Sequence, residues 1–156
     1  ALRHATDVLA SYSLGNTMRI VECGQVVGDG IDLYESNAPV VARFLRRAIA
    51  SERIILEGSG KQTIRYTPLQ SLLSVLSDLG ETWPDPPILS PVSDPISITD
   101  IASMCIGLTY SQGGFGYSGS THEILNYTDP IGHRLPVPNL LDVLVNWLHP
   151  LPLEAL

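Results

Sequence analysis

Apolar positions in this chain recur with two spacings, and the alternation between them organises the reading. Ala5, Val8, Leu9 and Tyr12 fall at helical spacing within residues Leu2 to Leu14, and Gly15-Asn16 provides a stop. Met18 to Cys23 is short, mostly apolar and bounded by turn residues, the pattern of a strand buried on both faces as in a parallel sheet. A glycine turn, Gly24 to Gly30, follows, and then a helix from Asn37 to Ala50. Ser36 or Asn37 is placed to cap that helix, with Pro39 in its first turn, where a missing N–H is harmless. Val40, Val41, Phe44, Leu45, Ala48 and Ile49 form its apolar stripe, while Arg43, Arg46 and Arg47 lie on or beside the polar face. A second strand, Arg53 to Leu56, comes next. Thr67-Pro68 repeats the cap-plus-proline start, and Leu69, Leu72, Leu73, Leu76 and Leu79 carry an amphipathic helix towards Gly80.

The second half continues the alternation. Glu81 to Pro87 is a proline-rich connection, and Ile88-Leu89 with Val92 reads as a short strand. Ser97-Ile98-Thr99-Asp100 resembles a capping box ahead of Ile101, Met104, Cys105 and Leu108, so a helix starts near Thr99. Residues 111–121 are rich in Gly and Ser and predict a flexible loop. Pro136 and Pro138 precede a last helix, Asn139 to Leu148, apolar around nearly its whole circumference. No internal repeat is present. Strands alternating with helices over short connections predict an α/β fold, here in a single domain covering residues 1–156.

Composition narrows the function classes. The chain has 156 residues and 44% hydrophobic content, enough for one compact core. Its 16 acidic and 9 basic residues give a formal charge of −7, which argues against binding nucleic acid or an anionic membrane surface. No apolar run reaches membrane-spanning length and the first residues lack a secretory pattern, so the expected location is cytoplasmic. Cys23 and Cys105 form neither a disulfide framework nor a CxxC motif, and read as two buried thiols in a reducing compartment. The sequon Asn126-Tyr127-Thr128 would matter only in a secreted chain.

Short motifs for cofactor or metal chemistry fail on their context. Gly114-Phe115-Gly116-Tyr117-Ser118-Gly119 is formally G-x-G-x-x-G, but a dinucleotide turn needs a carboxylate about twenty residues later, where Arg134 stands. Gly58-Ser59-Gly60-Lys61-Gln62 lacks both the first glycine and the final hydroxyl residue of a phosphate loop. His4, His122, His133 and His149 have no zinc-site spacing, so no metal is expected. No G-x-S-x-G elbow occurs.

Longer stretches are more telling. Arg43 to Thr63, running Arg-Phe-Leu-Arg-Arg-Ala-Ile-Ala-Ser-Glu-Arg-Ile-Ile-Leu-Glu-Gly-Ser-Gly-Lys-Gln-Thr, resembles the C-terminal half of extended short-chain dehydrogenase/reductases of the nucleotide-sugar epimerase and dehydratase type. Glu22 to Gly30 is similar to that family's Arg-x-x-Asn-Val-Tyr-Gly-Pro-Gly pattern, with Gln25 at the Asn position and Glu22 at the Arg position. Ile96 to Ile106 resembles the family's Pro-Val-Ser-Leu-x-Glu-Leu helix start, and Pro136 to Trp147 its closing helix. The resemblance implies the C-terminal part of a Rossmann-like fold with its small substrate-binding subdomain. It also implies NAD or NADP as cofactor and a nucleotide-sugar-like small molecule as ligand.

The departures are as informative as the matches. Arg3 and Asp7 align with the Lys and Glu that follow the family's Tyr-x-x-x-Lys, which places the catalytic Tyr just before Ala1 and an Arg at the Lys position. A tuned acid–base group therefore has no evident agent, and the catalytic residues are left unassigned. Arg keeps the Lys charge but not its compact geometry. By the resemblance, Arg3 and Gln25 face the cofactor, Asn37 matches an Asn near the sugar-nucleotide diphosphate, and Arg65, offset by one from the family's usual Arg, supplies a forked donor to the same phosphates. Residue chemistry alone also allows Arg65 as a solvated arginine beside a strand and Gln25 as a turn residue satisfying the backbone.

Three functional readings follow. The first is the substrate-binding portion of an NAD(P)-dependent nucleotide-sugar epimerase or dehydratase, incomplete for catalysis until joined by an N-terminal half. The second is a thioester-reductase domain of a polyketide or peptide synthase, because Gly24-Gln25-Val26-Val27-Gly28-Asp29 is also similar to that subfamily's Gly-Gln-x-x-Gly-Asp turn, although the expected Trp-Asn pair is absent. The third is a non-catalytic interaction module. A lone strand at Arg19 to Cys23 would leave bare edges, so the missing half or a homo-oligomer is expected to cover it.

Overall fold

The computed structural model describes residues 19–81, 88–119 and 129–149. The helix expected over Leu2 to Leu14, the connection at residues 82–87 and the site residue Arg3 lie outside them.

The described chain runs β1 (Ile20–Val21), β2 (Gln25–Val27), α1 (Val40–Ile49), β3 (Ile54–Leu56), β4 (Thr63–Ile64), β5 (Tyr66–Pro68), α2 (Leu69–Glu81), β6 (Ile88–Ser90), β7 (Ile96–Ser97), α3 (Ile98–Thr109), β8 (Phe115–Tyr117), β9 (His133–Arg134) and α4 (Leu140–Leu148). Strand pairing is mostly parallel. β1, β6 and β9 form one three-stranded sheet in that order, β2 pairs with β5, and β3 pairs with β8. The antiparallel pair is β4 with β7. Parallel strands joined through helices make this an α/β fold, as the alternating pattern predicts.

The core gathers α1, α3 and α4 over β3. Val41, Leu45, Ile54, Leu56, Ile101 and Leu144 are fully buried at its centre. In α3 and α4 the buried residues recur at i, i+3, i+4 and i+7, one face of each helix. Ser97 caps α3 by accepting from Asp100 N, as the capping-box pattern implies, and Asn139 caps α4 by accepting from Asp142 N. Although α4 is apolar around much of its circumference, Leu141 and Val145 face outward.

Several local expectations are corrected. Helix α1 begins at Val40 with Pro39 itself at the cap position and no side-chain cap of its own; Ser36 and Asn37 are exposed in the preceding loop. Ile49 leaves the apolar stripe and is exposed. The expected helix does begin at Leu69, but Thr67-Pro68 ends β5, where it pairs with Val26 and Val27, and the Thr67 hydroxyl accepts from Gly24 N instead of capping. Cys23 is exposed rather than buried. Ile20 and Val21 are half-buried, not sealed on both faces.

The glycine-rich stretch after α3 is also revised. Phe115 to Tyr117 pairs in parallel with β3, so the segment expected to be a flexible loop contains a strand. Its glycines permit close approach: a Cβ on Gly113 would lie 2.3 Å from Glu52 O, and one on Gly116 would lie 2.5 Å from the Arg53 guanidinium. Residues 120–121 of that expectation lie outside the described residues.

Candidate functional site

Gln25 stands where two elements meet. Its backbone N–H donates to Arg65 O at 2.9 Å, part of the β2–β5 ladder, while its side-chain Oε1 accepts from Val40 N at 3.2 Å. The latter bond replaces the cap that Pro39 cannot provide, so Gln25 ties the β2 turn to the N-terminus of α1 across fifteen positions of sequence. The helix has no acidic residue in its first turn. Its positive dipole end therefore carries no fixed countercharge from its own side chains there. Asn37 is exposed three residues before Val40, in the loop that leads into this helix end.

Arg65 is placed differently. Its guanidinium is buried, with Nη1 donating to Ser93 O at 2.8 Å and Nη2 donating to Asp129 Oδ1 at 2.6 Å. Nε is buried without a hydrogen-bond partner. A buried donor left unpaired costs free energy, about 1–3 kcal/mol by general experience, so this guanidinium is not fully satisfied by the protein groups around it. The structure brings Gln25 to the Arg65 backbone and to the start of α1.

Ser93 fixes the loop beside Arg65. Its N–H donates to Tyr66 O and its Oγ accepts from Tyr66 N, both at 2.9 Å, which holds the loop after β6 against β5. Past this tie opens a cavity of about 720 Å³, bordered by Tyr66, Asp94, Ile96, Met104, Arg134 and Leu140 among others. Arg134 donates to Val92 O at 2.9 Å and pairs with Asp94 at 3.3 Å on its rim. Tyr66 donates from its hydroxyl to Pro138 O at 2.8 Å. Burial above all, then the charges of Asp94 and Asp142, push the Tyr66 phenol up to about 12.

None of Gln25, Asn37 and Arg65 lines this cavity. Sequence reading missed it because its walls come from two loops, three strands and two helices far apart in sequence.

The Gly114 to Gly119 segment does not fit a dinucleotide. The formal G-x-G-x-x-G segment runs through β8, with Gly116 pressed against Arg53, and does not form a strand-to-helix turn open to a pyrophosphate. Among the described residues no group of His, Cys, Asp and Glu could hold a metal ion, and no helix is long and apolar enough to cross a membrane.

No protein-family model matches the chain, and no curated protein matches it in sequence. Solved structures do match. The Pal protein of Bacillus thuringiensis superposes with a TM-score of 0.69 at 16% identity, over 92% of this chain and 49% of Pal. TunA, described as an NAD-dependent NDP-hexosamine 5,6-dehydratase involved in tunicamycin biosynthesis, superposes with a TM-score of 0.67 at 16% identity, over 91% of this chain and 49% of its own. The UDP-glucose 4-epimerase of Thermotoga maritima, solved with UDP-glucose, gives 0.62 at 17% identity over 80% and 43%.

The fold is therefore that of the extended short-chain dehydrogenase/reductases. The chain shares this fold with the solved epimerase and dehydratase structures above and spans about half the length of the solved chains it matches.

Proposed function

We propose that this chain is the substrate-side portion of an NAD(P)-dependent nucleotide-sugar epimerase or dehydratase, and that the cofactor turn and the acid–base Tyr come from outside these 156 residues. The observation that carries the reading is the helix end built by Gln25. The N-terminus of α1 is held at the start of β2 by Gln25, has no acidic side chain in its first turn, and is preceded by exposed Asn37. Such a helix end suits a diphosphate, because its backbone N–H groups and dipole favour negative charge. The fold likeness to TunA, and to MoeE5 solved with UDP-glucose and NAD, supports the same ligand class.

In this reading Asn37 contacts the diphosphate directly. Arg65 supports this region through its backbone, whose carbonyl accepts from Gln25 N–H, while its buried guanidinium is engaged by Ser93 and Asp129. Gln25 acts by positioning the helix, and its free carboxamide N–H₂ is the part that would face a nicotinamide supplied by the other half. The N-terminal half of the protein, rather than a homo-oligomer, is the expected partner.

Titration calorimetry with UDP-glucose and with NADH tests the proposal. UDP-glucose is expected to bind the isolated chain, Asn37→Ala to weaken that binding about tenfold, and NADH to bind weakly or not at all. Tight NADH binding by the chain alone, or UDP-glucose binding indifferent to Asn37→Ala, would overturn it.

A further inference from the structure

The cavity beyond Ser93 takes no part in the function proposed above, and its walls are mostly apolar. Its volume of about 720 Å³ lies within the range of small-molecule sites. Ile96, Met104 and Val137 line it and also pack against the core, while Leu140 and Leu141 border it from the first turn of α4.

The polar side chains on these walls already have partners within the chain. The Tyr66 hydroxyl donates to Pro138 O at 2.8 Å, and Ser93 Oγ accepts from Tyr66 N at 2.9 Å while donating to Asp94 O at 2.8 Å. Asn139 donates to and accepts from Asp142, both at 2.9 Å. Arg134 Nη2 donates to Val92 O at 2.9 Å and to Asp94 Oδ1 at 3.3 Å. Among the described lining residues these are the one cation and the one carboxylate, so the rim is balanced in charge. A sugar brings hydroxyl groups that need partners, and a diphosphate brings negative charge towards Asp94. An uncharged apolar molecule asks for neither.

The cavity is also formed in advance. Leu135 N donates to Ser90 O at 3.1 Å and, with the Arg134 bond to Val92 O, ties the end of β9 to the segment after β6. The Tyr66 bond to Pro138 O ties the approach to α4 onto β5. Walls held by their own hydrogen bonds lose little freedom when filled, and Met104 has the flexibility to fit its occupant.

From an apolar lining, polar groups satisfied within the chain and a balanced rim, we propose that this cavity binds an uncharged apolar small molecule or group, an acyl chain or an aromatic ring. The inference does not rest on the proposed function. Gln25, Asn37 and Arg65 do not line the cavity, so either reading can fail without the other.

Fluorescence titration of the 156-residue chain with N-phenyl-naphthylamine, an uncharged probe that brightens in apolar surroundings, tests the site. One-to-one saturable binding is expected, with no displacement by UDP-glucose. Leu141→Glu changes an exposed first-turn position where a carboxylate suits the helix dipole. It is expected to keep the circular dichroism melt and to weaken the probe about tenfold. Met104→Gln, close in size but polar, should weaken it severalfold. Leu73→Glu and Val145→Glu alter exposed apolar residues outside the cavity and should leave binding unchanged.

Competition with methyl decanoate separates the two sources: displacement of the probe assigns an acyl-chain site, and failure to displace it assigns an aromatic one. No probe binding, displacement by UDP-glucose, affinity untouched by both Leu141→Glu and Met104→Gln, or affinity lost in Leu73→Glu overturns the proposal.

Discussion

Gly24→Ala is the most exacting probe of the junction that builds the candidate site. A Cβ at position 24 would lie 2.3 Å from Arg65 O, 2.6 Å from Arg65 C and 2.9 Å from Tyr66 N. All three are backbone atoms of the paired strand, so no side chain can swing aside. Relief requires β2 and β5 to separate, which stretches the Gly24 N–H bond to the Thr67 hydroxyl and the Gln25 N–H bond to Arg65 O. Overpacking costs about 1–3 kcal/mol, and two weakened hydrogen bonds add about 1 kcal/mol each, giving roughly 3–5 kcal/mol. For a domain of this size that lowers Tm by roughly 6–20 °C. Gly107→Ala is the control. A Cβ there meets nothing within 4 Å inside α3, so the replacement should gain about 0.5–1 kcal/mol from helix propensity alone. Urea unfolding followed by circular dichroism measures both variants. A Gly24→Ala protein within about 1 kcal/mol of the parent would refute the close strand approach and the site geometry built on it.

Other expectations follow from individual side chains. Glu22 Oε1 accepts from Ser90 Oγ at 2.7 Å, Ile131 N at 3.0 Å and Gly132 N at 3.3 Å, so Glu22→Ala should cost about 2 kcal/mol in urea unfolding after allowance for partial solvent access. The exposed Cys23 should react with a thiol reagent in the native chain while Cys105, buried and pushed up to about 12, reacts only on unfolding, giving one thiol native and two denatured. Partial burial, then the charge of Glu22, raise the Cys23 thiol, so its native rate should lag that of the unfolded chain at the same pH. Tyr66 has its phenol raised from 10.0 to about 12, so the folded state binds the proton more tightly than the unfolded one. Stability from this group is complete below pH 10 and falls as pH rises towards 12; Cys105, raised from 9.0, adds the same sign from pH 9 upward. Tyr66→Phe should lose about 1 kcal/mol at neutral pH with the bond to Pro138 O and flatten the decline above pH 10, measured by thermal melts across pH.

Much of the fold was legible because burial on one face imposes a period. The stripe of α1, the helix of α3, the strand at Ile54 to Leu56 and the cap at Ser97 follow from residue spacing and local hydrogen-bonding chemistry, whereas the one buried face of α4 and its Asn139 cap were not read from the sequence. What spacing could not convey was partnership. Thr67-Pro68 has the local chemistry of a helix start, yet pairing with Val26 and Val27 draws it into a strand. Phe115 to Tyr117 looks like loop because its glycines serve contact with Glu52 and Arg53, residues far off in sequence. The family pattern pointed to Gln25 and Arg65, and the structure joins their backbones through the Gln25 N–H bond to Arg65 O. That Gln25 would cap a helix fifteen residues on, and that Arg65 would be engaged by Ser93 and Asp129, are long-range facts that no local pattern carries.

The central claim, that this chain holds the sugar-nucleotide side of the site and not the dinucleotide side, is tested most directly by amide chemical-shift mapping of the isolated chain. UDP-glucose is expected to shift the amides of Gln25, Asn37 and Val40 to Ala42, and NADH at equal concentration to shift few or none. Strong NADH shifts across β8, with no response to UDP-glucose at the start of α1, would contradict it.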